Sequence, residues 1–396
     1  MTKWYRQTVW SSRSLDYAAQ FLLLFSVLAF FAAKNIPLFI FLSCWVTLKL
    51  YGQYWKAAGN KLDLANEKSR QYLSVGERGK WTLRFTNNGL PILKAELYIS
   101  FDDSVVPEGV DPNKNSQTVD IRIPFSIWEK EEKEVVIPVE ANKRGSSQIR
   151  SISLRIYHLF GIGYMDLAYR DQFKTQMLVY PNRSLVYMPE EKLVFLQGYQ
   201  NVRTSLFDDP MAPVGVRQYV SGDPFQHIHW KASARTQELQ TKVFEPSASY
   251  GWLIVLNIAV RFSINAQLEE MIRQTAYLID YALRKNIPFS LAVNVRTFDQ
   301  TPFYYLKEGS GREHRQKALE LLAMLSSSSL VLPSSHMLNY LASEPLPSAA
   351  IMIGEMNQEE NSAARQFQLK GTAVFKVETI LEKGVMKEWN EKQLAV

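Results

Sequence analysis

Two apolar runs near the N-terminus constrain this chain more than any other feature. From Tyr17 to Ala33 the sequence YAAQFLLLFSVLAFFAA carries no charge, and after Lys34-Asn35 a second run, IPLFIFLSCWVTLKLYGQYW, extends from Ile36 to Trp55. About 20 helical residues span roughly 30 Å of hydrocarbon, so each run can reach across a bilayer. The short connection makes the two helices antiparallel neighbours, a transmembrane helical hairpin anchor within residues 1–60. A cleaved signal peptide is the competing reading. Against it, the second apolar run follows at once and no convincing small-x-small cleavage site precedes it.

The flanks give the orientation. Lys3, Arg6 and Arg13 precede the hairpin and Lys49, Lys56, Lys61, Lys68 and Arg70 follow it, against Lys34 in the turn. Positive-inside placement puts both ends, and the soluble domains, on the cytoplasmic side of the cell membrane. Trp4, Trp10, Tyr51, Tyr54 and Trp55 sit where interfacial aromatics are expected, and Trp45 lies deeper.

Charge distribution narrows the partners. The formal net charge is +6, and residues 1–60 hold six basic residues against one acid, a net +5. The basic balance therefore belongs to the anchor, which favours contact with the lipid bilayer and its anionic head groups over nucleic acid. Cys44, the single cysteine, falls in an apolar run, so there is no disulfide framework and no thiolate metal site. At 396 residues, the chain exceeds what one core usually organises.

Residues 61–185 read as an antiparallel β-sandwich. WTLRF ends in Asn87-Asn88-Gly89, and AELYIS, TVDIRI, EVVIPVEA, QIRSISLRIY and QMLVYP follow with turn residues between them. Period-two alternation at this length is the strand signature. The pattern changes in residues 250–396. WLIVLNI, FSLAVNV, AAIMI and TAVFKV are buried strands, and they alternate with helical patterns around 268–283, 313–325 and 358–368. Asn265 is the expected N-cap of the first of these helices. Such strand–helix repeats imply an α/β, Rossmann-like domain with a parallel sheet and a site at the carboxyl ends of its strands.

The segment 186–249 joins the two, and its stretch GVRQYVSGDPFQHIHWKASARTQELQTKVFE (215–245) is the most informative part of the chain. Asp223-Pro224 reads as an N-cap with proline at the first helical position, predicting a short helix from Pro224 to about Ala234. On it, His227 and Lys231, and Lys231 and Arg235, would share a face. Arg217 and Tyr219 alternate on the strand before it.

Here the chain resembles a bacterial membrane-protein family catalogued as domain of unknown function fifty-eight. The family pattern, R-x-Y-x-x-G-D, then I-x-W-K-x-S-A-R, then L and a terminal F-E, is matched by Arg217, Tyr219, Gly222, Asp223, Ile228, Trp230, Lys231, Ser233, Ala234, Arg235, Leu239, Phe244 and Glu245. Leu159-Phe160-Gly161 and Val179-Tyr180-Pro181 fit its lead-in. Members often carry Arg two or three residues after G-D, where this chain has Phe225, Gln226 and His227. The resemblance implies an N-terminal hairpin, a β-rich domain and a von Willebrand A-like α/β domain. It also implies a protein partner of the MoxR-type AAA ATPase class, and a role in assembly or maturation of other proteins. It implies no biochemical activity and no cofactor.

A von Willebrand A metal site needs D-x-S-x-S after the first strand, to supply hard oxygen ligands for Mg²⁺. This chain has Asn257, Ala259 and Arg261 at those positions, a degenerate site. His227 and His229, two apart, would point about 200° from each other on a helix and lack a third ligand. The simpler reading makes Asp223 a helix cap, Trp230 a packed core or interdomain residue, and Arg217, Lys231 and Arg235 partners of carboxylates or of another protein. No GxxxxGK[ST], GxGxxG or GxSxG occurs, and Ser326 to Ser329 reads as a solvated linker. The leading expectation is a non-enzymatic membrane-anchored scaffold or adaptor. The alternative is an enzyme whose site lies in an interdomain cleft around Asp223 and His227, with His229 and Lys231.

Overall fold

The computed structural model describes residues 3–8, 13–31, 35–110, 117–158, 163–188, 208–221, 223–246, 249–260, 263–298, 301–380 and 383–390. The protein is a mixed α+β chain of two compact units, residues 1–180 and 181–396.

The N-terminal unit opens with strand β1 (Trp4–Thr8), helix α1 (Arg13–Phe31) and helix α2 (Asn35–Ala57). Ten further strands follow: β2 (Leu62–Leu64), β3 (Arg70–Ser74), β4 (Arg78–Asn87), β5 (Ile92–Asp102), β6 (Val105–Pro107), β7 (Thr118–Ile127), β8 (Glu131–Ala141), β9 (Gly145–Tyr157), β10 (Tyr164–Tyr169) and β11 (Gln176–Tyr180). One sheet runs β1-β10-β9-β11-β3, with β5 also paired to β9 and β7 to β5; the second runs β2-β4-β8-β6. All pairings are antiparallel except β3 with β11. Alternation decides which face turns inward: Val135, Ile137, Val139 and Ala141 of β8 are buried while Glu134, Val136, Pro138 and Glu140 between them face water. Side chains from both sheets, among them Trp81, Phe85, Leu97, Phe101, Ile137 and Leu154, meet in one core.

That core reaches into residues which the sequence pattern assigns to the anchor. Trp4, Trp55 and Ala58 are buried in it, and Trp4 lies against the rings of Phe85 and Tyr169. The Tyr54 hydroxyl donates to the carbonyl of Pro91 at 2.9 Å. Arg6, from β1, donates to the carbonyls of Lys56 and Ala58, satisfying acceptors at the carboxyl end of α2.

Between these two attachments, α1 and α2 expose large apolar side chains, including Phe21, Leu28, Phe31, Ile36, Phe39 and Leu50, and Phe25 stacks on Phe41 at 5.6 Å. Among the described residues one helix, Ile36–Ala57, is long and apolar enough to cross a membrane. In α1 the described apolar stretch is Tyr17–Phe31. Of the two spans expected from the sequence, one helix of spanning length and one shorter apolar helix are seen among the described residues.

The C-terminal unit carries a seven-stranded mixed sheet. Its strands are β12 (Val186–Tyr187), β15 (Ser249–Leu256), β18 (Phe289–Arg296), β19 (Phe303–Gly309), β20 (Pro347–Ile353), β21 (Ala373–Ile380) and β22 (Lys383–Glu388), in the order β12-β22-β21-β20-β15-β18-β19. The central β21-β20-β15-β18 are parallel. Beyond them, β19 and β22 pair antiparallel to β18 and β21. Strands β13 (Asp208–Gln218) and β14 (Gln240–Pro246) form a separate two-stranded sheet, and β16 (Ala259–Val260) and β17 (Ser263–Ile264) a minimal one. The helices are α3 (Trp230–Thr236), α4 (Leu268–Arg284), α5 (Gly311–Met324), α6 (Ser334–Ser343) and α7 (Gln358–Leu369).

Helix α4 buries Leu268, Met271, Ile272, Leu278 and Ile279, one apolar face at helical spacing. Its N-cap is Gln267; Asn265 instead accepts from the Gln267 amide at 2.8 Å, closing the turn that precedes the helix. Helix α7 starts with a capping box between Asn357 and Glu360. Strands β19 and β22 and helix α6 are additions to the expected pattern. The first two pair antiparallel to the parallel strands, β19 at the edge and β22 between β21 and β12, and their partly polar faces blur the continuous apolar signature of the central strands.

Candidate functional site

Two polar clusters of the C-terminal unit are candidates. The first is the motif segment. In the β13–β14 ladder Arg217 lies opposite Thr241 and Gln218 opposite Gln240, and Tyr219 extends it by donating to Leu239 O at 2.8 Å. The chain then turns. Asp223 donates its amide to Val220 O and its carboxylate accepts the Val220 amide at 3.1 Å, so one residue closes the turn from both directions. The same carboxylate takes a two-pronged contact from the Arg217 guanidinium, at 2.7 and 2.8 Å, and a hydroxyl from Thr241 at 3.1 Å. These donors, Arg217 first, hold the Asp223 carboxyl down at about 2.

This geometry corrects the expected helix. Asp223 caps no α-helix: Phe225–His227 is a single 3₁₀ turn, and Ile228, buried, bridges back to Thr241. Helix α3 begins only at Trp230, with His229 as its cap through Nδ1, which accepts the Ala232 amide at 3.1 Å. The physical reason is competition. Arg217 and Thr241 already occupy the carboxylate that would have capped the first turn, and the Ile228 bridge keeps the backbone extended until residue 229.

His227 and Lys231 therefore do not share a helix, whereas Lys231 and Arg235 lie one turn apart on α3, both exposed. Ser233 is buried and ties α3 to β14, donating to His229 O and accepting the Gln240 amide at 2.8 Å. Tyr219 faces Phe225, ring centroids 6.2 Å apart. Trp230 is 64% exposed, so it is not a core residue. Gly222 and Leu159 to Gly161 lie outside the described residues, as do the side chains of Phe244 and Glu245.

A carboxyl at about 2 is a poor base near neutrality, and the His229 Nδ1 lone pair is committed to the helix end. Asp223 is held by Arg217, Val220 and Thr241.

The second cluster sits where the parallel sheet changes strand order, between the carboxyl ends of β15 and β20, the usual place for a ligand in such sheets. Here Asn257 is buried. Its Nδ2 donates to Glu360 Oε1 and to the Glu355 carbonyl, both at 3.1 Å, and its Oδ1 accepts from Asn294 Nδ2 at 2.8 Å and from the Ala259 amide at 3.2 Å. All four hydrogen-bonding positions of the amide are filled. Glu360, 4% exposed, also accepts from the Ser334 hydroxyl and the Asn357 amide. Gly354 closes the crevice: at φ +116° a Cβ would collide with the Asn257 carbonyl oxygen.

Of the positions that the resemblance would assign to a metal, Asn257 and Ala259 are thus buried in a hydrogen-bonded lock; Arg261 lies outside the described residues. Asn294, Ser334 and Glu360 escaped sequence reasoning. They come from three separate elements, and a lone polar residue inside an apolar strand such as FSLAVNV was the one available signal.

Comparison with solved structures finds slight likenesses. A non-cellulosomal cohesin from the hyperthermophilic archaeon Archaeoglobus fulgidus is 12% identical, covering 34% of this chain and 96% of that one, at a TM-score of 0.21. Trypsin-activated alpha-2-macroglobulin from Escherichia coli is 12% identical over 78% of this chain and 20% of its own, at 0.22. Neither bears on fold or function. Among curated proteins, the uncharacterized protein YeaD of Bacillus subtilis (strain 168) is 39% identical over 77 residues, 19% of this chain and 18% of that relative's length. The family model described as Protein of unknown function DUF58 matches residues 215–345, the stretch that contains the Arg217–Asp223 turn, α3 and the Asn257–Asn294 pair.

Proposed function

We propose that this protein is a non-enzymatic scaffold or adaptor of the cell membrane, held by the α1–α2 hairpin with both soluble units in the cytoplasm. One observation carries the anchoring. Residues 4–8 form an edge strand of the β-sandwich and Trp55 and Ala58 lie in its core, while the helices between them present bare apolar side chains. A chain that leaves a folded unit, exposes that much apolar surface and returns to the same unit has the geometry of a loop dipped into lipid. Pairing of β1 with β10 also keeps both ends of the hairpin on the sandwich side, in accord with the basic flanks.

In this reading the C-terminal unit is a von Willebrand A-like domain that works as a protein-docking module, with a MoxR-type AAA ATPase as its partner in protein assembly or maturation. The parallel order β21-β20-β15-β18 supports that assignment. The lock around Asn257 supports docking in place of ligand chemistry, because the crevice is filled by the chain's own side chains.

Single cysteines placed at Gln7, Ile36 and Lys61 in a Cys44→Ser background test the topology in sealed vesicles. A membrane-impermeant maleimide should label Gln7→Cys and Lys61→Cys from one side and Ile36→Cys from the other; labelling of all three from one side would remove the hairpin. A pull-down of the full chain from mildly solubilised membranes, with and without ATP, tests the partner: nucleotide-dependent recovery of an AAA ATPase is expected, and its consistent absence sinks that part.

A further inference from the structure

The α3 face of the motif segment has a composition that the docking reading leaves unused. Trp230 is 64% exposed, Phe225 on the preceding turn 68% and Val220 60%. Lys231 and Arg235 are exposed beside them, and α3 carries no acidic residue. The frame beneath is internally satisfied. Asp223 is held by Arg217 and Thr241, His229 caps the helix and Ser233 ties it to β14, so the turn and helix present these side chains from a braced support.

We infer that this face binds the anionic surface of the bilayer in which the chain is anchored, with Trp230 and Phe225 entering the head-group layer and Lys231 and Arg235 meeting lipid phosphates and carboxylates. Aromatic side chains at the head-group level with lysine and arginine beside them are the composition of a membrane interface. A modest patch suffices for lipid, because an anchor in the same chain makes the second contact intramolecular. The positive charge selects the anionic leaflet.

The inference rests on the membrane-anchored reading, and the test separates the two. Full-length protein with Cys44→Ser and Ala234→Cys, labelled at residue 234 with an environment-sensitive dye, is reconstituted into vesicles of phosphatidylcholine alone or mixed with phosphatidylserine. Emission is expected to shift to the blue, and to be quenched by brominated lipid, in the mixed vesicles and not in the neutral ones. High salt should reverse the shift, and Lys231→Glu with Arg235→Glu should abolish it without lowering the thermal midpoint.

A chain that floats with neither vesicle overturns the anchored reading and this inference with it. A chain that floats with both while its label stays in water overturns the inference alone. A shift equal in both vesicles that rises with protein density assigns the face to a second copy of the chain, and overturns it as well.

Discussion

Asp223 and Glu360 are both carboxylates that accept several hydrogen bonds, yet the clusters around them differ in kind. Around Asp223 the partner is a cation, the site lies on a two-stranded sheet, and its neighbours Phe225, Trp230, Lys231 and Arg235 face water. Around Glu360 the partners are Asn257, Ser334 and a backbone amide, all neutral, and the cluster is buried at the carboxyl ends of a parallel sheet. The difference lies in what each cluster leaves accessible. The crevice between the carboxyl ends of β15 and β20, where α/β sheets usually bind ligands, is filled by the chain's own groups, whereas the polar and aromatic side chains around the braced turn face water.

The sharpest way to break this contrast is Gly354→Ala. It forces an alanine into φ +116° and into the Asn257 carbonyl, at a cost of roughly 4 kcal/mol, the sum of backbone strain and overpacking. Thermal or denaturant unfolding should show the loss, and a variant as stable as the parent would mean that the crevice is looser than described.

Next in size is Asn257→Asp, which removes the donor to Glu360 and sets a second buried carboxylate against it. About 3 kcal/mol should be lost at neutral pH, with partial recovery on acidification as one proton relieves the pair. If Mg²⁺ restored that stability at neutral pH, the lock would have retained the geometry of a cation site.

At the motif, Asp223→Asn keeps the shape but discharges the clamp. Faster amide exchange at Val220 and Thr241 is expected, with the sheet of the α/β unit unchanged. In the parent the clamp has a defined pH range. The Asp223 carboxyl sits at about 2 in the folded chain, below the ordinary aspartate value near 4. Its contribution is therefore complete above about pH 4 and lost as the pH falls through about 2. Carbon chemical shifts of the carboxyl would follow this directly, and a midpoint near 4 would contradict the Arg217 contact.

The smallest effect is expected from Trp230→Ala. An exposed side chain should change stability by no more than about 0.5 kcal/mol, whereas Trp252→Ala, at 0% exposure, should cost about 3–5 kcal/mol. Equal losses at the two tryptophans would return Trp230 to the core.

Much of the fold could be read from periodicity. The β8 alternation and the 268–283 helical stripe follow from each element burying one face, and a one-residue error would have turned that face to water. The motif was found but misassigned. Asp-Pro before a helical pattern is a sound capping signal, yet Arg217, six residues upstream, and Thr241, eighteen downstream, claim the carboxylate. A capping rule looks three residues ahead, and these competitors arrive only through the β13–β14 pairing.

The sequence by itself determined the local properties of this protein: the apolar runs near the N-terminus, the alternating strands, the α/β repeats and the charge asymmetry. Each is a property of composition or spacing within one element. Tertiary structure decided what depends on bringing distant residues together. It made Trp4 and Trp55 parts of the sandwich core, closed the crevice with Asn294, Ser334 and Glu360, and left Trp230 in water. A side chain's tendency to be buried is local; the surface that buries it, or fails to, comes from elsewhere in the chain.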